Sequence, residues 1–380
     1  MSLDLSTDNQ SLRAAVRDYA QSVVKPQAAE TDRLHRFPEE AISAAGELDL
    51  MGILIPSEYG GAGLDHLAFT ICIEEIAAAC ASTAVIVDVH NSVACEPILL
   101  FGTEEQKRRW LPPMARGEVL GAFALTEPAA GSDAASLKTS ARRSGDGYVL
   151  NGTKVFITNL GKAGLYLVFA RTDPEAAGAA GVSAFLVPAD TPGVKAGQVF
   201  SKMGLNGSPT GELVLEDVSV PAGNLLGELN RGFRIAMRAL DSGRIGISGQ
   251  ALGIGRAAFE DALAYTKERE QFGQAVAQFQ GLQWLLADLA TQLEASRLLT
   301  YHAARLCSAG KPFTTEASMA KLFTTDTAMW IATNAVQLAG GYGYVNDYPF
   351  ERYFRDAKAA QIYEGSNQVQ RIVIARELLR

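Results

Sequence analysis

The sequence predicts a mostly α protein of the α+β class. It divides into a helical domain at 1–120, a central β barrel or sandwich at 121–228 and a helical bundle at 229–380. Three observations predict this. Helical periodicity runs through the first third. Alternating β-type runs separated by Gly, Pro and Asp fill the middle, where helical signals are nearly absent. Long amphipathic stretches with short connections return after about residue 229.

Each element has a local reason. In "TDNQSLRAAVRDYAQSVV", Leu12, Ala15, Val16, Tyr19 and Val23 fall on one helical face. Pro38 suits a helix start, and "PSEYGGAGLD" is a loop. "YVLNGTKVFITN" sets Asn151-Gly152 between two alternating runs, a hairpin signal. "LYLVFAR", "VSAFLVP" and "ELVLEDVSVP" are further strands, and the Ala/Gly cluster at 176–181 is a surface loop. Helices are expected near 229–255, 256–270, 278–309 and 315–340, with a short final helix after Glu364.

Composition narrows the function. The 380 residues are 48% hydrophobic and 20% charged, with a net charge of −8. An acidic chain without a Lys/Arg run argues against nucleic acid as the partner. The start "MSLDLSTDNQSLRAAVRDYA" has neither a basic nor an apolar leader region, and no apolar run is expected to reach membrane-spanning length. These absences point to the cytoplasm of a bacterium. Cys72, Cys80, Cys95 and Cys307 form no CxxC and read as buried free thiols. The four histidines are scattered, so no metal site is expected.

Several motifs remain ambiguous on their own. "GIGRAA" at 253–258 mimics a dinucleotide fingerprint but lies inside a helical run, where small residues serve close packing. "LTEPAAGSD" at 125–133 is a small-residue turn that can wrap a polar ligand edge or merely connect. "KVFITN" at 154–159 puts Phe156 and Thr158 on one strand face, opposite Val155 and Ile157. "KEREQFGQ" carries Arg269, whose guanidinium fork matches phosphate oxygens. Glu364, in "AAQIYEGSNQVQRIVIAREL", follows bulky, apolar Ile362 and Tyr363 and precedes flexible Gly365. Ser366 or Asn367 can cap the helix that follows, with Val369, Ile372, Val373 and Leu379 on one face. A carboxylate in apolar surroundings has a raised pKa, which suits a base working near neutrality. The alternative is a solvated loop glutamate.

Seven segments in order, "LTEPAAGSD", "KVFITN", "KMGLNGSPTGEL", "REQFG", "QLAGGYGY", "RDAKAAQIYEG" and "QRIVIAREL", resemble the acyl-CoA dehydrogenases over nearly the whole chain, and the short-chain or butyryl-type members most. The resemblance implies the family's fold, with a C-terminal four-helix bundle, and a homotetramer with FAD held partly by a neighbouring subunit. It implies that Glu364 takes the α proton of an acyl-CoA while the β hydrogen leaves as hydride to flavin N5, giving a trans-2-enoyl-CoA. Electrons then pass to electron-transfer flavoprotein. The substrate would be a short- to medium-chain, or short branched, acyl-CoA from fatty-acid or branched-chain amino-acid breakdown.

The resemblance also assigns roles by position. Phe123, Leu125, Thr126, Gly131 and Ser132 would line the flavin, Ser132 also reaching CoA. Phe156 and Thr158 would pack against the flavin ring. Arg269, Phe272 and Gln280 match FAD contacts across a subunit boundary, and Gln337, Gly340 and Gly341 the adenosine side. Ser366 and Gln368 match cofactor contacts after the base. Asp241, Arg244, Tyr363 and Gly365 match substrate contacts, Gly365 by clearing room for substrate at the backbone. Phe123 and Phe156 stand where many relatives have Tyr and Trp. Gly243 stands where some branches place their glutamate, which leaves the proton abstraction to Glu364. Two alternatives stay open: a flavin oxidase or monooxygenase on the same scaffold, and a non-catalytic flavin- or CoA-binding scaffold.

Overall fold

The computed structural model describes residues 5–380; residues 1–4, part of the amino-terminal stretch read above for targeting, lie outside the described residues. Helix α1 (Thr7–Tyr19) starts at Ser6, whose side chain accepts the Asn9 N–H, and passes through a π turn at Ala20–Val24 into α2 (Lys25–Arg33). Val16 and Tyr19 are buried as predicted. Ala15 is exposed, because the buried stripe is narrower than the sequence pattern drew it. Pro38 precedes α3 (Glu39–Glu47). Then come α4 (His66–Ala79), α5 (Ala81–Val89), a second π turn (His90–Cys95), α6 (Glu96–Phe101) and α7 (Glu104–Ala115).

One expectation fails here. The run Ala81–Phe101 is long and apolar enough to cross a membrane, but 83% of it is buried inside the protein. It is a core helix, apolar all round because it is covered all round.

Eight strands form one sheet: β1 (Gly121–Ala124), β2 (Ser140–Ser144), β3 (Gly147–Thr158), β4 (Leu165–Arg171), β5 (Val182–Pro188), β6 (Val194–Val199), β7 (Thr210–Pro221) and β8 (Leu225–Leu226). The order is β6-β7-β3-β2-β4-β5-β8, with β1 beside β4. A single pair, Ser140 with Arg171, joins β2 to β4. The two halves share an apolar cluster that includes Ala124, Leu150, Val168, Phe185, Leu213 and Val218. The end strands β6 and β8 do not pair with each other. The architecture is therefore the open, sandwich-like alternative rather than a closed barrel.

The Asn151-Gly152 hairpin is overturned. Both residues lie inside β3, where the register against β7 shifts between Leu150 and Gly152. The Asn151 amide is spent on Asp217, donating to its Oδ1 and accepting its N–H, and Gly152 makes room for Thr139. The site is a β-bulge. The real hairpin turn is Gly145-Asp146, between paired Ser144 and Gly147.

The C-terminal part holds α8 (Gly232–Glu268), a small hairpin of β9 (Glu270–Gln271) and β10 (Gln274–Ala275), α9 (Gln280–Ser308), α10 (Thr314–Ala339), α11 (Gly341–Tyr344), α12 (Phe350–Ala360) and α13 (Asn367–Leu378). The helix break expected near 255 does not exist; α8 runs unbroken for 37 residues. Its glycines serve close approach. A Cβ on Gly246 would sit 1.9 Å from Asp88 Oδ1, and on Gly253 2.3 Å from the Glu74 carbonyl oxygen, with Gly249 against Thr70. Gly243, Gly246, Gly249 and Gly253 thus form a bare stripe: Gly249 and Gly253 bring α8 to backbone distance from α4, while Gly243 and Gly246 leave room for the side chains of Glu364, Val93 and Asp88. The predicted apolar face of α13 also fails in part. The helix buries Asn367, Gln370 and Val373, while Ile372 is 64% and Leu379 87% exposed.

Candidate active site

Glu364 lies in the short link between α12 and α13, whose start Ser366 caps by accepting the Val369 N–H. Glu364 and Gly365 both have left-handed backbone, φ +53° and +84°. A Cβ on Gly365 would sit 2.8 Å from Gln370 Nε2. The turn and the closeness of Gln370 therefore both favour a glycine here.

The Glu364 side chain reaches across to α8. Its Oε2 lies 2.9 Å from where a Gly243 Cβ would be, beside Val93 of the second π turn. Oε2 is closed off from solvent and has no hydrogen-bond partner, and among the described residues the Glu364 N–H has none either. Desolvation pushes its pKa up to about 7, opposed by Arg244 and Lys321. The apolar company inferred from the sequence is only half right. Ile362 is 60% exposed, and the burial comes from α8 and the π turn instead.

Around this carboxylate the structure collects other groups. Arg244 pairs with Asp241, which also accepts from the Thr314 hydroxyl. The Tyr363 hydroxyl donates to Gln250 Oε1. Asp88 is fully buried, accepts from Ser92 and has its pKa raised by burial and then by the Glu364 charge. Lys321 is buried on α10. Sequence reasoning missed Asp88, Gln250, Lys321 and Gln370. The only available signal was a polar or charged residue interrupting an apolar helix.

A second group sits on the sheet. Phe123 packs on Phe169 with ring centroids 5.0 Å apart, and Leu125 is buried. The Thr126 carbonyl accepts the Val155 N–H, which fixes the loop beside Phe156 and Thr158. Phe156 is 66% exposed with φ +58°, while Val155 and Ile157 point inward. The Thr126 and Thr158 hydroxyls are half-buried without protein partners, and Gly131 and Ser132 face open space. Beneath this loop Lys154, fully buried, donates to the Leu125 carbonyl at 3.0 Å and Glu127 Oε1 at 2.8 Å. His90 ties the two groups: it accepts the Gly121 N–H at the start of β1 from the same π turn that carries Val93.

A third group stands apart. Arg269, Gly340 and Gly341 line a groove of about 610 Å³ with Tyr265 and Tyr342. Phe272 is 94% exposed at the β9–β10 tip, and Gln280, Gln337 and Gln368 are exposed as well. The Phe272 ring meets Phe279 edge-on, with centroids 6.1 Å apart, and is otherwise open to solvent.

These residues fit a flat cofactor with a phosphate tail. Among the described residues an exposed ring and two unpartnered hydroxyls lie beside an open loop, a guanidinium without an ion-pair partner lines a separate groove, and one carboxylate oxygen of Glu364 is buried without a partner. Among the described residues no cluster of His, Cys, Asp or Glu could hold a metal ion, and all four cysteines are buried and free.

Comparison with known proteins gives a consistent family. Models of the acyl-CoA dehydrogenase N-terminal, middle and C-terminal domains match residues 6–118, 122–218 and 230–379. The chain is 47% identical over 380 residues to a short-chain specific acyl-CoA dehydrogenase of Clostridium acetobutylicum, covering 100% of both. The solved butyryl-CoA dehydrogenase of Megasphaera elsdenii superposes with a TM-score of 0.98 at 44% identity, covering 100% of both chains. A structure from work on the electron transferring flavoprotein of Acidaminococcus fermentans and flavin-based electron bifurcation gives 0.98 at 48% identity, again over 100% of both.

Proposed function

We propose, from the premise that this chain belongs to the acyl-CoA dehydrogenase family and is a flavin-dependent oxidoreductase, that it desaturates a short- to medium-chain acyl-CoA with Glu364 as the base. The observation that carries the reading is the Glu364 carboxylate: held against Gly243, with Oε2 closed off from solvent and without a hydrogen-bond partner.

The Cα–H bond of the thioester breaks and its proton goes to Glu364, whose raised pKa matches that task near neutrality. The electron pair left on Cα forms the Cα–Cβ double bond as the β hydrogen departs. Bound FAD supplies the acceptor that takes the β hydrogen with its electron pair. The unpartnered Glu364 N–H is a donor for the thioester oxygen as negative charge builds there. Arg244 and Lys321 favour the ionised base, and the enclosed position keeps water from it.

In this reading Phe123, Leu125, Thr126, Gly131, Ser132, Phe156 and Thr158 hold the ring end of FAD. Arg269, Phe272, Gln280, Gln337, Gly340 and Gly341, with Ser366 and Gln368, hold its phosphates and adenosine across a subunit boundary. The exposure of Phe272 supports a partner's presence there. A homotetramer is supported further by exposed Trp284, Trp330, Ile372 and Leu378. Asp241, Arg244, Ser132, Tyr363 and Gly365 belong to the acyl-CoA side. Electron-transfer flavoprotein as acceptor, a cytoplasmic location and the domain limits 1–120, 121–228 and 229–380 complete the proposal.

The test is an anaerobic titration of the purified protein with straight and branched acyl-CoAs of increasing length. Bleaching of the flavin's visible band is expected, fastest with a short chain. Glu364→Gln keeps fold and flavin and loses nearly all turnover. A flavin that no thioester bleaches, or a Glu364→Gln enzyme at near-normal rate, refutes the reading. Rapid oxygen consumption with substrate would move it to the oxidase alternative.

A further inference from the structure

Two consecutive residues in left-handed backbone are unusual when the first is a glutamate. Such a conformation costs of order 1 kcal/mol or more and persists where its surroundings over-determine it. Here three side chains outside the hinge do so. Lys321, fully buried on α10, donates from Nζ to the Gly365 carbonyl at 2.8 Å and to Asn367 Oδ1 at 2.9 Å. Gln370 Nε2 on α13 donates to the Glu364 carbonyl at 3.1 Å and the Gly365 carbonyl at 2.8 Å. Asn367 donates its N–H to the Gln361 carbonyl at 3.0 Å and its amide to Asp326 Oδ1 at 2.7 Å.

The Gly365 carbonyl is thereby tied to α10 and α13 and the Glu364 carbonyl to α13, while among the described residues the Glu364 N–H and Oε2 are left without partners. An ammonium costs several kcal/mol to bury. An apolar side chain of similar length would fill the same volume without that cost. What Lys321 alone supplies is two donors aimed at one link and a positive charge near the carboxylate.

We propose that Lys321, acting with Gln370, is a positioning residue for the base: by holding the carbonyls of Glu364 and Gly365 it fixes the direction of the Glu364 carboxylate and N–H. The inference rests on the reading of Glu364 as base. The charges facing Glu364 are Arg244 from α8 and Lys321 from α10, which favour its ionised form; Asp88 from α5 also faces it, but burial and then the Glu364 charge hold that carboxyl toward its neutral form. Asp241 and Arg376 act on Arg244, and Asp326 acts on Lys321. Removing the ammonium therefore makes Glu364 ionise at higher pH. Removing the neutral Gln370 amide does not.

The experiment compares flavin-loaded Lys321→Met, Gln370→Leu and Glu364→Gln enzymes with wild type, using butyryl-CoA across the neutral pH range. Lys321→Met is expected to lower kcat by about 10- to 100-fold, because misplacement by about 1 Å carries such losses, with far less change in KM. Its rate still rises with pH as Glu364 ionises, but that limb moves to higher pH. Gln370→Leu lowers kcat by about tenfold and leaves the limb in place. A merely structural lysine would move the thermal midpoint and neither of these. A folded, flavin-loaded Lys321→Met enzyme with wild-type kcat, or with an unmoved limb, overturns the proposal. If Lys321→Met does not fold, a Gln370→Leu enzyme at wild-type kcat overturns it. An active Glu364→Gln enzyme sinks the base reading itself, whereas an inactive one beside a fully active Lys321→Met enzyme sinks only this inference.

Discussion

Gly243→Ala separates stability from catalysis. Gly243 is buried in α8 with ordinary helical backbone, so alanine is favoured there by about 1 kcal/mol of helix propensity. The new Cβ would stand 2.9 Å from Glu364 Oε2, 3.2 Å from its Cδ and 3.0 Å from Val93 Cγ1. Comfortable separations are about 3.5–4.0 Å, so the carboxylate must withdraw by roughly half an ångström or more. The carboxylate is the mobile end of a side chain, so the fold absorbs this cheaply and net stability stays within about 1 kcal/mol. Catalysis does not absorb it, and kcat should fall by about 10- to 100-fold. The methyl also desolvates the carboxylate further. The acid limb of kcat, set by a Glu364 pKa of about 7, should therefore move to higher pH. Steady-state kinetics across pH, with flavin content and thermal midpoint measured on the same preparation, read all three quantities. Wild-type kcat in a folded, flavin-loaded Gly243→Ala enzyme refutes the assignment of the reacting carboxylate to this position.

Two further outcomes follow. Arg269→Ala removes an unpaired, exposed guanidinium from the groove beside Tyr342. A charged hydrogen bond to phosphate is worth about 1.5–3 kcal/mol, so FAD affinity should fall by roughly 10- to 100-fold; unchanged flavin content after gel filtration would remove Arg269 from that role. Lys154→Met leaves Glu127 buried without its cation, which should cost about 3 kcal/mol, seen as a lower thermal midpoint, and loosen flavin held by the Leu125–Glu127 loop. Adding Glu127→Gln should recover part of the loss, and a thermally neutral Lys154→Met would contradict the buried-pair account.

What was legible in the sequence depended on range. Ser366 as a cap, the strand "LYLVFAR" and the inward and outward faces of Val155–Thr158 are set by neighbours a few residues away, and local pattern carries them. Asn151-Gly152 misled because the partner of the Asn151 amide is Asp217, 66 residues on. The glycines of α8 look like a break until α4 and α10 are packed against them, when they become the contact surface. Glu364 was found through its motif, but its burial was attributed to Ile362, which points outward, when Gly243 and Val93 from distant elements provide it. Lys321 was invisible because a lysine in a helix reads as solvent-facing until tertiary structure shuts it in.

The bare glycine stripe of α8 has a mechanical meaning. Side-chain interfaces tolerate small displacements by changing rotamer; a contact made by backbone against backbone has no rotamers to change. Where Gly249 and Gly253 meet the Thr70 and Glu74 carbonyls, the spacing between α8 and α4 is therefore set by van der Waals radii. Glu364 rests on one end of that stripe at Gly243, and Asp88 rests one turn further along at Gly246. The N-terminal helical layer thus fixes the height of α8 at Gly249 and Gly253, and the helix carries that register along to Gly243, where the reactive carboxylate comes to rest.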